Sequence, residues 1–223
     1  MKVVIKLSGS LFKLDDLERI KKFKDIFEDF FKRGNQLVLV TGGGEIARKY
    51  IEFCRSFGVN EGILDEIGIL IAKINAKLLS SILQDIAYQS IPKNLEEVSL
   101  ALNSKRIVCC GGFHPGHSTN AVAALIAEYI KADLFLNATD VDGIYNKDPK
   151  RFKDAKKLNT INIKELIELL YKEDMLAGSY ELLDLLSLKI LERSKLKTRV
   201  ILCDPQEVKK ALEGKEVGTL ITF

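Results

Sequence analysis

Leu37-Val38-Leu39-Val40-Thr41-Gly42-Gly43-Gly44 runs four consecutive aliphatic residues into a threonine and three glycines. A strand this uniformly apolar has no side to turn towards water, so it belongs inside a parallel sheet covered on both faces. From residue 45 to about 57 the spacing predicts a helix. A strand that ends in glycines and enters a helix is where open α/β sheets bind ligands. Glycine lets backbone N–H groups approach an anion, and the helix N-terminus adds partial positive charge.

The neighbouring segments repeat this alternation. Upstream, Lys2-Val3-Val4-Ile5-Lys6-Leu7 reads as a strand, and residues 15–31 as a helix on Leu17, Ile20, Phe23, Ile26, Phe27, Phe30 and Phe31, stopped by Gly34. Downstream come a long helical stretch over 64–87, a strand over 106–110, a helix over 119–131 and a strand over 134–138. A polar stretch over 146–157 follows, then helices near 163–171 and 182–194. The chain closes with a strand over 199–202, a short helix near 207–212 and an edge strand over 219–222. This order calls for an α/β fold, a three-layer αβα sandwich around a mostly parallel central sheet. No repeat or Pro/Ser linker divides the chain, so a single domain of two lobes sharing one sheet is expected.

The 223 residues can bury about 70% of the unfolded chain's surface, enough for a core without staples. Hydrophobic residues make up 47% and charged residues 29%, as in an ordinary globular protein. The net charge of +3 is too small and too evenly spread to suggest nucleic acid or an acidic membrane as partner. Cys54, Cys109, Cys110 and Cys203 have no metal-ligand spacing and read as buried free thiols of a reducing compartment. Lys6 interrupts the only apolar stretch that could serve as a leader, and no apolar run approaches a membrane span. The expected location is cytoplasmic.

Two further strand ends carry glycine turns. The first strand leads into Ser8-Gly9-Ser10, and the strand over 106–110 into Gly111-Gly112-Phe113-His114-Pro115-Gly116-His117-Ser118-Thr119. Three such turns at successive strand ends point to a phosphate-rich ligand. The third nearly spells the triphosphate loop GxxxxGK[ST], but His117 stands at the lysine position, and a mostly neutral imidazole is a poor substitute. His114 and His117 have HxxH spacing but no acidic or cysteine partner in the loop, so no residue is singled out as a protein metal ligand. Positive charge must come from elsewhere. Lys6 ends an apolar strand, either facing a site or snorkelling from an edge. Arg48 lies one helical turn past Gly44, where it can fork onto phosphate oxygens or simply face water. Thr139-Asp140-Val141-Asp142-Gly143 is either an ordinary Asp-Gly turn or a pair of strand-end carboxylates that hold Mg²⁺ through water.

Together these motifs resemble the amino acid kinase superfamily and, more narrowly, archaeal-type uridylate (UMP) kinases. The resemblance rests on Lys6 to Ser10, on Thr41 to Gly44 with Ala47 to Ile51, and on Gly111 to Leu125. It continues through Ala138 to Tyr145, Lys147-Asp148-Pro149, Tyr180 to Asp184, Lys189, Glu192 to Ser194 and Gly218 to Ile221. It covers essentially the whole chain and implies ATP and UMP as substrates, Mg²⁺ with the ATP, and a homo-oligomer, a hexamer built from dimers. It also implies an acceptor lobe over about 1–131 and an ATP lobe over about 132–223.

Residue by residue, the resemblance puts Lys6, Gly9, Ser10, Gly44, Arg48, Thr139, Tyr145 and Asp148 at ATP. It puts Gly43, Asp65 and the loop Phe113, His114, Pro115, Gly116, His117, Ser118 and Thr119 at UMP. Lys6, Arg48 and Asp184 are the implied catalytic residues, Asp184 having the alternative role of holding its own helix start. Two positions depart from the pattern: Leu185 where relatives often carry proline, and Phe113 where some carry threonine. The second turn reads Gly44-Glu45-Ile46, without the histidine of isopentenyl phosphate kinases. The alternatives are another small-molecule kinase of this fold, acting on a carboxylate, carbamate or isopentenyl phosphate, and a non-catalytic nucleotide-binding relative.

Overall fold

The computed structural model describes residues 1–13, 16–147, 149, 151–171 and 183–223. Asp148 and the segment Tyr180-Glu181-Leu182 lie outside the described residues. The strands are β1 (Lys2–Leu7), β2 (Gln36–Thr41), β3 (Val108–Cys110), β4 (Leu134–Thr139), β5 (Ile144–Tyr145), β6 (Lys157–Leu158), β7 (Thr160–Asn162), β8 (Thr198–Leu202) and β9 (Thr219–Thr222). The helices are α1 (Leu17–Lys32), α2 (Gly44–Arg55), α3 (Glu61–Leu83), α4 (Leu95–Asn103), α5 (Thr119–Tyr129), α6 (Ile163–Tyr171), α7 (Leu185–Ser194) and α8 (Pro205–Leu212).

Seven strands form one sheet in the order β3-β2-β1-β4-β8-β9-β7. The first five are mutually parallel, β9 runs antiparallel to β8, and β7 runs parallel to β9. Alternation along the pleat sorts the core into two layers. Val3, Ile5 and Leu7 face α1, α3 and α8, with Phe23, Phe27, Leu79 and Val208. Val4, Val38, Val40 and Phe135 face α4, α5, α6 and α7, with Val98, Val122, Leu166 and Leu188. This is the expected three-layer sandwich.

Three details differ from the sequence reading. The strand over 219–222 is not an edge: β7 covers it, so β9 is flanked on both sides. Helix α4 was not anticipated, although Asn94 caps it, its side chain accepting the Glu97 N–H at 2.8 Å, while the Glu97 carboxylate accepts the Lys93 N–H at 2.9 Å. The polar stretch over 146–157 is bracketed by the two-stranded β5–β6 hairpin. The topology places the carboxyl ends of β1, β2, β3 and β4 side by side, and every glycine turn noted above leaves from that edge.

Candidate phosphoryl-transfer site

A cavity of about 600 Å³ opens above this edge. Its floor is the Ser8-Gly9-Ser10 turn after β1 and Gly42-Gly43-Gly44 after β2; Arg48, Asp65, Gly112, His117, Thr119 and Thr139 stand around it. The first two turns touch. A Cβ on Gly9 would sit 2.1 Å from the Gly44 nitrogen, and one on Gly44, whose φ is +68°, would sit 2.5 Å from the Gly9 oxygen. Only glycine permits this approach, which gathers two sets of backbone N–H groups at one place.

Lys6 is the buried cation of the site, only 9% exposed. Its register partners are Val40 on β2 and Asn137 on β4, so it sits mid-sheet, on the face that carries α5, and is no edge lysine. The turns are tied down by backbone and side chain together. Ser8 N–H donates to Ala138 O at 2.9 Å, Gly42 N–H to Leu7 O at 3.1 Å, and the buried Asn75 of α3 donates to Gly42 O at 2.8 Å. Thr41 Oγ1 donates to Ala72 O at 2.7 Å, fixing α3 against the end of β2.

Asp140 organises the first turn. Its Oδ1 accepts the Ser8 hydroxyl at 2.8 Å and the Ser10 hydroxyl at 2.5 Å. Burial pushes the Asp140 pKa up, but the hydroxyls of Ser10 and Ser8 and the charges of Lys6 and Arg48 outweigh it, so the carboxyl lies below the ordinary aspartate value. It is ionised at neutral pH. The sequence offers Asp140 as part of an Asp-Gly turn or as a strand-end carboxylate for Mg²⁺, but not its grip on the first turn, and gives no role to Ser8 or Asn75. The signal available was the spacing of Ser8 and Ser10 across a turn, which means little until β4 is known to lie beside β1.

The third glycine loop, over 111–119, is divided. His117 and Thr119 line the cavity, and Gly116 N–H donates to Asp65 Oδ2 at 2.7 Å. His114 and Pro115 are exposed and do not line it. Phe113 is a core residue packed with the α4–α5 layer rather than a wall of the site. The His114 and His117 rings meet edge to face with centroids 6.4 Å apart. Tyr145 also stands off the cavity, its hydroxyl donating to Asp142 Oδ1 at 2.8 Å, while Lys157 Nζ lies 3.0 Å from Asp142 Oδ2. Asp184 caps α7 and accepts the Ser118 hydroxyl; neither lines the cavity. The expected site residues thus fall into an inner group around Lys6, Arg48 and Asp65 and an outer group held away from it.

The chain as a whole is similar to known proteins. A uridylate kinase from Sulfurisphaera tokodaii is 44% identical over 227 residues, covering 99% of both chains. The crystal structure of a uridylate kinase from Archaeoglobus fulgidus superposes with a TM-score of 0.90 at 41% identity over 100% of both chains. A UMP kinase structure from Bacillus anthracis, 22% identical over 99% of this chain and 95% of its own, shares the fold with a TM-score of 0.81. Residues 1–202, most of the chain, match the amino acid kinase family, and the chain belongs to that family.

Proposed function

We propose that the chain is a UMP kinase, transferring the γ-phosphoryl group of ATP to UMP to give UDP and ADP for pyrimidine nucleotide synthesis. The carrying observation is the convergence of two touching glycine turns, a buried lysine and Arg48 on one cavity whose far wall holds Asp65 and the third glycine loop. The near turns and Thr139 suit the ATP phosphates. Asp65, on the first part of α3, suits the ribose hydroxyls of the acceptor. This gives an acceptor lobe over about 1–131 and an ATP lobe over about 132–223.

The acceptor is a phosphate with a second pKa near 6, so its attacking oxygen is anionic at pH 7 and needs no general base. The remaining task is to hold two polyanions in line and spread the charge that develops on the transferred group. Lys6 and the N–H groups of Gly9, Gly43 and Gly44 suit that task as fixed donors. Arg48 can reach the cavity from α2 with a forked donor. The ionised Asp140 is the kind of hard oxygen donor that takes Mg²⁺ directly or through water. When bound with ATP, that ion supplies charge neutralisation on the β- and γ-phosphates.

No helix among the described residues is long and apolar enough to cross a membrane. The proposed setting is the cytoplasm, and the proposed assembly a homo-oligomer, a hexamer by the family resemblance. The test is ADP release with ATP and Mg²⁺, offering UMP, CMP, dUMP, acetylglutamate and isopentenyl phosphate one at a time. Turnover with UMP, alone or with its deoxy analogue, is expected. Turnover with acetylglutamate or isopentenyl phosphate instead would replace the acceptor, and turnover with none would leave a nucleotide-binding protein.

A further inference from the structure

Two carboxylates grip the acceptor loop at neighbouring points. Asp65 takes the Gly116 N–H at 2.7 Å. Asp184 takes the Ser118 hydroxyl through Oδ2, while its Oδ1 accepts the Ser187 N–H at 2.9 Å and so caps α7. The Ser118 oxygen in turn accepts the Ala121 N–H at 3.0 Å and caps α5. One hydroxyl therefore joins two helix caps, and α5 and α7 pack against each other behind it.

We propose that Asp184 is a positioning residue for the acceptor phosphate, acting through Ser118, and that it does not touch the reacting groups. The inference rests on the UMP kinase reading of the same site. Three observations carry it. Asp184 does not line the cavity, whereas His117 and Thr119, on either side of Ser118, do. Each of its carboxylate oxygens already accepts a donor. A carboxylate turned onto a transferring phosphate would repel it; turned onto a serine hydroxyl, it fixes that hydroxyl instead. With its hydrogen held by Asp184, Ser118 must present a lone pair to the Ala121 N–H. That sets the first turn of α5 and with it the Thr119 wall. The αN-terminal dipole of α5 is thereby aimed by a charge held outside the site.

The test uses Asp184→Asn, Ser118→Ala, the double variant and Ser118→Thr in the full chain. Asparagine caps a helix as well as aspartate does, so Asp184→Asn keeps the Ser187 contact and removes only the carboxylate that holds Ser118. Asp184→Asn and Ser118→Ala should each raise the KM for UMP about tenfold, the scale of a hydrogen bond to a charged group, with kcat within about threefold. The double variant should be no worse than Ser118→Ala, and Ser118→Thr should recover most of the loss relative to Ser118→Ala. In ligand-free protein, hydrogen exchange of the amides at 114–121 should quicken in both single variants. A hundredfold fall in kcat for Asp184→Asn at unchanged KM, multiplicative losses in the double variant, or unchanged exchange would each overturn the proposal. Failure of the unmodified chain to phosphorylate UMP would instead sink the acceptor reading, and the exchange comparison would still judge the Ser118 link.

Discussion

In the proposed reaction Lys6 supplies charge and Asp65 recognition. Replacing Lys6 with alanine removes the buried cation and should lower kcat about a hundredfold or more while shifting the UMP KM little. Asp65→Ala should do the reverse, raising the UMP KM about tenfold or more with a smaller effect on kcat; steady-state kinetics separates the two. Asp140 adds a pH signature. Its pKa in the folded chain lies below the ordinary aspartate value of 3.8, because the Ser10 and Ser8 hydroxyls, Lys6 and Arg48 together outweigh its burial. Its contribution to stability is therefore complete above the unfolded value and lost as pH falls through the lower folded value. Urea unfolding should show a gap between the native chain and Asp140→Asn that is constant from about pH 8 to pH 5 and closes below about pH 4. Activity should fall earlier, below about pH 6, as the UMP phosphate takes up its second proton. Lys6, Arg48 and the glycines were legible in the sequence because they adjoin strand ends. The roles of Ser8 and Asn75, and the serine partners of Asp140, were not, since those contacts span 33 to 132 residues.

At the scale of elements, the touching turns after β1 and β2 are the most demanding feature. Gly9→Ala would drive a methyl into the Gly44 backbone, which cannot yield as a side chain would. The cost should be about 2–3 kcal/mol, a fall of about 5–10 °C in Tm for a chain of this size, with nearly complete loss of turnover. Calorimetry and the ADP-release assay on one preparation check both. Most elements were legible because each has a strong period: uniformly apolar for β2, helical for α1, α3 and α5. Those that were missed are short or weakly patterned. β5, β6 and β7 have two or three residues each and are set by their pairing partners. β9 looked like an edge because its neighbour β7 was not seen.

For the whole molecule, the sheet order brings four strand ends to one edge; the alternation of strands and helices had pointed to the sandwich, and the motifs to the family. The surface was less legible. The phenylalanines of α1 serve the core: Phe23, Phe27 and Phe30 are buried within the chain. Among the exposed apolar residues, Tyr50 and Phe53 on α2, Phe57 just past its end, and Ile63, Leu70 and Ile74 on α3 stand on two helices that pack together. Large side chains at these exposures present on the order of 700 Å², near the share of one partner in a standard interface. Beside Ile63, Leu70 and Ile74, α3 carries Glu66 in its first half and Lys73 and Lys77 in its second, so an antiparallel second copy would meet opposite charges. If this face joins copies of the chain, Phe53→Glu with Leu70→Glu should reduce the mass found by light scattering while leaving the circular dichroism unchanged. An unchanged mass would move the interface elsewhere.

The central claim is direct transfer between two nucleotides held over the glycine turns, with Lys6 as the buried cation. It is tested most directly by rapid-quench single turnover, mixing enzyme in excess with γ-labelled ATP, Mg²⁺ and UMP. The expected result is label passing from ATP into UDP with no protein-bound or free phosphate on the way, and transfer about a hundredfold slower in Lys6→Ala with both nucleotides bound. Label released as free phosphate, or Lys6→Ala transferring as fast as the native chain, would contradict it.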